Sequence, residues 1–161
     1  MESLRVEEYM NYYPVTFTAD MAVEEASLRF LKTKQIGGPV VDSTGKLIGF
    51  LSEGDVLSKM LETIYYNKHI ADVKDLMRTD VLAMKPYDSI IELGQMMLKN
   101  KPKVYPVIDD SGNLLGTICR NDVLRAIDKH IRASIKSNKT NAAKEKGVEV
   151  ITEQQYLDLI N

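Results

Sequence analysis

Apolar residues along this chain recur in two rhythms. Val23, Ala26, Phe30 and Leu31 fall at helical spacing, as do Val56, Leu57, Met60, Leu61 and Ile64. Between these stripes lie β-prone runs, Pro39-Val40-Val41-Asp42 and Leu47–Leu51, joined by the turn Ser43-Thr44-Gly45-Lys46. A short run at Val15-Thr16-Phe17 precedes the first helix, for which Asp20 is the expected cap, and a helical lead-in at Leu4–Met10 opens the chain. Gly37-Gly38 is expected to break that helix, which places Pro39 first in the next strand. The predicted order is strand, helix, strand, strand, helix.

The same pattern then returns. Sliding Met10–Leu57 forward by 67 residues lays it on Met77–Leu124 without a gap. Pro39 meets Pro106, Asp42 meets Asp109, Gly45 meets Gly112, Gly49 meets Gly116 and Asp55 meets Asp122. The second copy predicts a strand at Val81–Met84 and a helix capped by Asp88 or Ser89 that carries Ile90, Leu93 and Met97. A hairpin, Val104–Asp109 with Leu114–Cys119, follows, and then a helix with Val123, Leu124, Ile127 and Ile131. The fold class is therefore α/β, with two β-α-β-β-α units related by a pseudo-two-fold axis. The units are residues 1–67 and 68–131. Residues 132–161 form a polar C-terminal tail with a possible strand at Val148–Ile151 and a short terminal helix, for which Thr152-Glu153-Gln154-Gln155 supplies a capping box.

Size makes the duplication consequential. A unit of about 60 residues buries only roughly 60% of its unfolded surface, so two copies are expected to share one core. Hydrophobic residues make up 44% of the 161 and charged residues 27%, the balance of a soluble globular chain. The net charge of −2 argues against a general binder of nucleic acid or anionic membrane. Cys119 is the single cysteine, so no internal disulfide forms, and no Cys/His spacing suits a metal. With no signal-peptide core and no long apolar run, a cytoplasmic location is expected.

The chemistry-bearing residues lie where each hairpin enters a helix. The first copy reads Gly49-Phe50-Leu51-Ser52-Glu53-Gly54-Asp55 and the second Gly116-Thr117-Ile118-Cys119-Arg120-Asn121-Asp122. A carboxylate with two acceptor oxygens can take both hydroxyls of a ribose, and a helix start offers amides to a phosphate. The backbone around Gly38-Pro39-Val40 and Tyr105-Pro106-Val107 can read a purine edge. The competing reading is purely local: Ser52-x-x-Asp55 is also a capping box, and an acid in a first helical turn is favoured by about 0.3–1 kcal/mol.

With the Pro-Val-[Val/Ile]-Asp strand and its turn glycine, this motif resembles the CBS domain, named after cystathionine β-synthase. The resemblance covers residues from about 6 to 130 and implies a tandem CBS-domain pair. In that family two units pack through their sheets, and clefts between them bind AMP, ADP, ATP or S-adenosylmethionine. The signature is Gly, an apolar residue, any residue, Ser/Thr, two residues, then Asp. The resemblance gives Asp55 and Asp122 the ribose and Ser52 ribose or phosphate. Cys119 stands where a hydroxyl is expected, and a thiol is a weak donor and poor acceptor. Arg120 suits a phosphate, with Lys101 and Lys103 nearby, whereas Glu53 in the first copy would repel one. The second cleft is thus expected to read phosphate, and the first to stay empty or hold an uncharged adenosyl group.

Other residues point away from catalysis. His69 and His130 lack partners at triad or ligand spacing, and Cys119 has no neighbouring His to activate it. Met60, Met84, Met96 and Met97 sit at expected core positions, and Tyr65-Tyr66 is expected at an interhelix or dimer contact. The resulting expectation is a non-catalytic regulatory module without a required cofactor. It would bind an adenosyl small molecule, form a homodimer and signal in trans to a protein partner. The alternative is a constitutive dimeric scaffold with non-functional clefts.

Overall fold

A computed structural model describes residues 4–67, 69, 71–99, 102–146 and 152–160. They divide into two compact units, one ending at Val123 and one beginning at Leu124. In the first unit a 3₁₀ turn at Val6–Glu8 leads to β1 (Phe17–Thr18), α1 (Val23–Thr33), β2 (Gly37–Val41), β3 (Leu47–Ser52) and α2 (Glu53–Tyr66). The second copy follows as α3 (Val73–Leu76), α4 (Ile90–Lys99), β4 (Val104–Ile108), β5 (Leu114–Cys119) and α5 (Arg120–Lys146). β1 runs parallel to β2, which pairs antiparallel with β3, and β4 pairs antiparallel with β5.

Sequence and structure part at several element boundaries. Val81–Met84 is not a strand: only Met84 bridges to Val107, its N–H on Pro106 O and its carbonyl accepting from Ile108. Asp20 does not cap α1. Ala22 stands there without a side-chain hydrogen bond, and the Val23 N–H is taken by Ala71 O of the following copy. α1 ends not at the glycines but at Lys34, left-handed at φ 55°. Gly37 and Gly38 belong to β2, paired with Ser52 and Leu51, and neighbours crowd them: a Cβ on Gly38 would lie 2.6 Å from Val15 O. Ser89, not Asp88, caps α4, accepting from the Glu92 N–H at 3.3 Å.

The hairpin turns match the sequence reading. Gly45 and Gly112 adopt φ of 86° and 87°. Before each, one aspartate closes the turn: Asp42 accepts from the Thr44 amide and hydroxyl and the Lys46 amide, Asp109 from Ser111 and Asn113. The Thr44 hydroxyl, foremost, holds the Asp42 carboxyl below its usual range, and the Asn113 side chain does the same for Asp109.

Main-chain bonds between the copies come in symmetric pairs. Asn11 and Thr117 exchange both N–H···O bonds, at 2.7 and 3.0 Å; 67 residues on from Asn11, Arg78 exchanges two with Phe50, both 2.9 Å. Leu47 donates to Gly112 O and Leu114 to Gly45 O; Val6 donates to Asp88 O and Val73 to Met21 O. Each copy's lead-in thus pairs with the other copy. Val73, Ala71, Leu76 and Met77 accordingly pack with Phe17, Phe30, Val40, Leu51 and Val56 in one core. Met84 and Met97 are buried as expected, but Met60 is exposed with Leu57, Leu61, Ile64 and Tyr65 on α2, where Val56 alone is buried.

The second unit holds α5 beyond Val123 and α6 (Glu153–Ile160). The Thr152 hydroxyl accepts from the Gln155 N–H, and the Gln155 side chain accepts from the Thr152 N–H, so the expected capping box is present. Ile131, Ile135, Tyr156 and Leu157 line a cavity of about 220 Å³. The possible strand at Val148–Ile151 lies outside the described residues.

The crossings leave no room for side chains. A Cβ on Gly49 would lie 2.8 Å from Met77 Sδ and 2.9 Å from Arg78 O, and one on Gly116 would strike Asn11 O. Gly49→Ala and Gly116→Ala should each lose about 1–3 kcal/mol or more in urea unfolding. Gly54→Ala, on an open helical surface, should be neutral or gain up to about 1 kcal/mol.

Candidate functional site

β3 and β5 each deliver a motif residue to a helix start, and the two copies use it differently. In the first, Ser52 is the N-cap of α2, and its Oγ accepts from the Asp55 N–H at 3.1 Å. The serine hydroxyl can still donate its own proton. Asp55 Oδ2 is buried and has no hydrogen-bond partner among the described residues. In the second copy Cys119 cannot accept well, and the carboxylate itself closes the turn: Asp122 Oδ2 accepts from the Cys119 N–H at 2.9 Å. Burial, foremost, pushes the half-buried Cys119 thiol above its usual range. Of the capping box expected at Ser52-x-x-Asp55 the serine half forms and the Asp55 half does not; in the second copy Asp122 makes the half that Asp55 lacks.

A cleft of about 750 Å³ opens between the copies, within the range of small-molecule sites. The first copy lines it with Ile36, Gly37, Phe50, Ser52 and Glu53. The second lines it with Arg78, Asp80, Val81, Leu82, Pro102, Lys103, Val104 and Pro106. Of the sequence-derived candidates, the cleft gathers Ser52, Lys103 and Pro106. Asp55 lies one helical turn from Ser52 and is not among the lining residues. Gly38, Pro39, Val40, Tyr105 and Val107 are buried in the strands. Arg120 is exposed, its N–H on Lys103 O, and with Cys119 and Asp122 it stands outside this cleft. Lys101 lies outside the described residues.

Sequence reasoning places Lys103 near Arg120, and the structure does so, with the Arg120 N–H on Lys103 O. The fold also brings Lys103 and Pro106 to the same cleft as Ser52 and Glu53 of the first copy. It also brings in Arg78 and Asp80, which the sequence reading passed over. Their signal was the offset itself: Arg78 is the counterpart of Asn11, at the point where the chain changes partner. Tyr105 is the counterpart of Gly38; its hydroxyl is buried without a partner among the described residues, and burial raises the phenol's pKa against the opposing pull of Arg120.

The CBS domain sequence model matches residues 6–62 and 73–129, the two copies just described. The chain belongs to the CBS-domain family. It is 26% identical over 144 residues to the uncharacterized protein MJ1426 of Methanocaldococcus jannaschii, covering 71% of this chain and 86% of that one. It is 33% identical over 112 residues to that organism's inosine-5′-monophosphate dehydrogenase, but this match covers 69% of this chain and only 21% of the enzyme. Among solved structures, CBSX2 in complex with AMP superposes with a TM-score of 0.68 at 25% identity, over 78% of this chain and 97% of that one. The CBS domain pair of MJ0100, in complex with 5′-methylthioadenosine and S-adenosyl-L-methionine, superposes with the same TM-score at 21% identity, over 80% and 98% of the respective chains. This second likeness is one of fold.

As a CBS pair, the chain carries its two motif acids in unequal settings. Asp122→Ala removes a helix-start cap and should cost about 1 kcal/mol in urea unfolding without ligand. Asp55→Ala removes a buried, unsatisfied oxygen, a relief of about 1–3 kcal/mol set against roughly 0.3–1 kcal/mol of lost helix-start charge. It should be neutral or stabilising.

Proposed function

We propose that this CBS pair is a non-catalytic regulatory module that binds an adenosine-containing ligand, AMP, ADP, ATP or S-adenosylmethionine, in the cleft between its copies. The observation that carries this reading is the cleft's combination of volume and lining. Ile36, Phe50, Val81, Leu82 and Pro106 offer apolar walls for a flat base, and Ser52 offers a hydroxyl beside them. The Ser52 Oγ accepts from the Asp55 N–H and keeps its own proton to donate to a ribose oxygen. The binding seen in the AMP-bound CBSX2 structure supports the choice of ligand class. A ligand held by both copies changes how firmly they pack, which a protein partner can read.

The module would work as a homodimer. Leu57, Leu61, Ile64 and Tyr65 leave α2 with a contiguous apolar face exposed to solvent, the kind of patch that marks an interaction surface. The same face favours a second reading, a constitutive dimeric scaffold that binds no ligand. Thermal unfolding separates the two. At 100 times its dissociation constant a ligand stabilises by about 2.7 kcal/mol, which for a chain of this size raises Tm by roughly 5–10 °C. At least one of AMP, ADP, ATP and S-adenosylmethionine should produce that shift, and a flat response to all four would leave the scaffold reading.

A further inference from the structure

Four charged side chains line the cleft: Arg78 and Lys103, Glu53 and Asp80. All four are exposed, and none is in an ion pair among the described residues. Their formal charges cancel. The cleft therefore presents two cations and two anions without carrying a net field for a polyanion. The helix start beside it adds little for phosphate. The Glu53 N–H is spent on Ile36 O at 3.0 Å and the Asp55 N–H on Ser52 Oγ at 3.1 Å. These are two of the amides that would otherwise hold an anion at the start of α2. Glu53 itself adds a negative charge at that end.

From this arrangement we infer that the cleft selects an adenosyl ligand with a zwitterionic head, a cationic centre and a carboxylate on one short chain, over adenosine di- and triphosphates. Glu53 and Asp80 face the cationic groups, and Arg78 and Lys103 take the carboxylate. A triphosphate meets the same two cations but must also sit beside two carboxylates, so its gain at one end is offset at the other. S-adenosylmethionine, with sulfonium, ammonium and carboxylate, has the matching charges. The inference rests on the adenosyl-binding reading and narrows it to one ligand class. Glu53 and Asp80 become the residues that set specificity.

Isothermal titration of the full chain with S-adenosylmethionine, S-adenosylhomocysteine, AMP and ATP tests it. S-adenosylmethionine should bind at least tenfold more tightly than ATP. S-adenosylhomocysteine, which lacks the sulfonium charge, should fall between them. The double variant Glu53→Gln/Asp80→Asn alters only exposed side chains. It should lower the S-adenosylmethionine-to-ATP preference by roughly tenfold, with both affinities moving in opposite directions. ATP binding as tightly as S-adenosylmethionine to the wild-type chain overturns the inference while leaving the adenosyl-binding reading intact. A preference that survives the double variant unchanged removes Glu53 and Asp80 as its cause. Silence from all four ligands overturns the adenosyl-binding reading itself, and this inference with it.

Discussion

Two reciprocal main-chain crossings, Asn11 with Thr117 and Arg78 with Phe50, underlie the rest of this structure. Each exchanges two N–H···O bonds between a copy's lead-in and the other copy's hairpin. Every buried amide in such a segment needs a partner, and an unmet one costs about 1–3 kcal/mol. At these crossings the partner belongs to the other repeat. The close approach explains Gly49 and Gly116 directly, since any side chain there would meet the crossing backbone. The motif glycine is thus a packing requirement before it is a ligand requirement. It also explains why an ungapped duplication makes sense: an insertion in one copy would shift its crossing out of register with the hairpin it must meet.

The crossings also decide what the cleft contains. Because the lead-in of the second copy runs beside the hairpin of the first, Arg78 and Asp80 come to the same opening as Ser52 and Glu53. Neither copy alone assembles that set. A ligand there touches both repeats at once, which gives binding a direct route to their packing. The substitution of Cys119 for the serine of the first copy adds an asymmetry. A thiol does not close the helix start, the Asp122 carboxylate does, and the two halves are no longer chemically equivalent.

Much of this was legible from residues alone. The 67-residue offset, the hairpins around Gly45 and Gly112, the Ser52 and Thr152 caps and the buried positions of Val56, Met84 and Met97 all follow from local pattern. What eluded the pattern depends on contacts distant in sequence. Asp20 is a good cap by type, but the Val23 amide is claimed by Ala71 from the next copy. Met60 and Leu57 fit a helical stripe, yet Val56 alone reaches the core and the rest face outward, a distinction periodicity does not carry. Val81–Met84 has strand composition but keeps only the Met84 bridge. Lys103 lies beside Arg120 as its own copy implies, but the fold also brings it to the cleft that Glu53 lines. For Asp20 and Lys103 the deciding partner sits in the other repeat.

If each repeat depends on the other, those crossings are as stable as the fold itself. Native-state hydrogen exchange on the intact chain reads this at the amides of Asn11, Phe50, Arg78 and Thr117. If the repeats depend on each other, all four should exchange only through global unfolding, with protection matching the stability from denaturant unfolding. If Asn11 and Arg78 instead exchange through local opening, well below the global value, each repeat holds its own structure and the interdependence argued from the crossings is wrong.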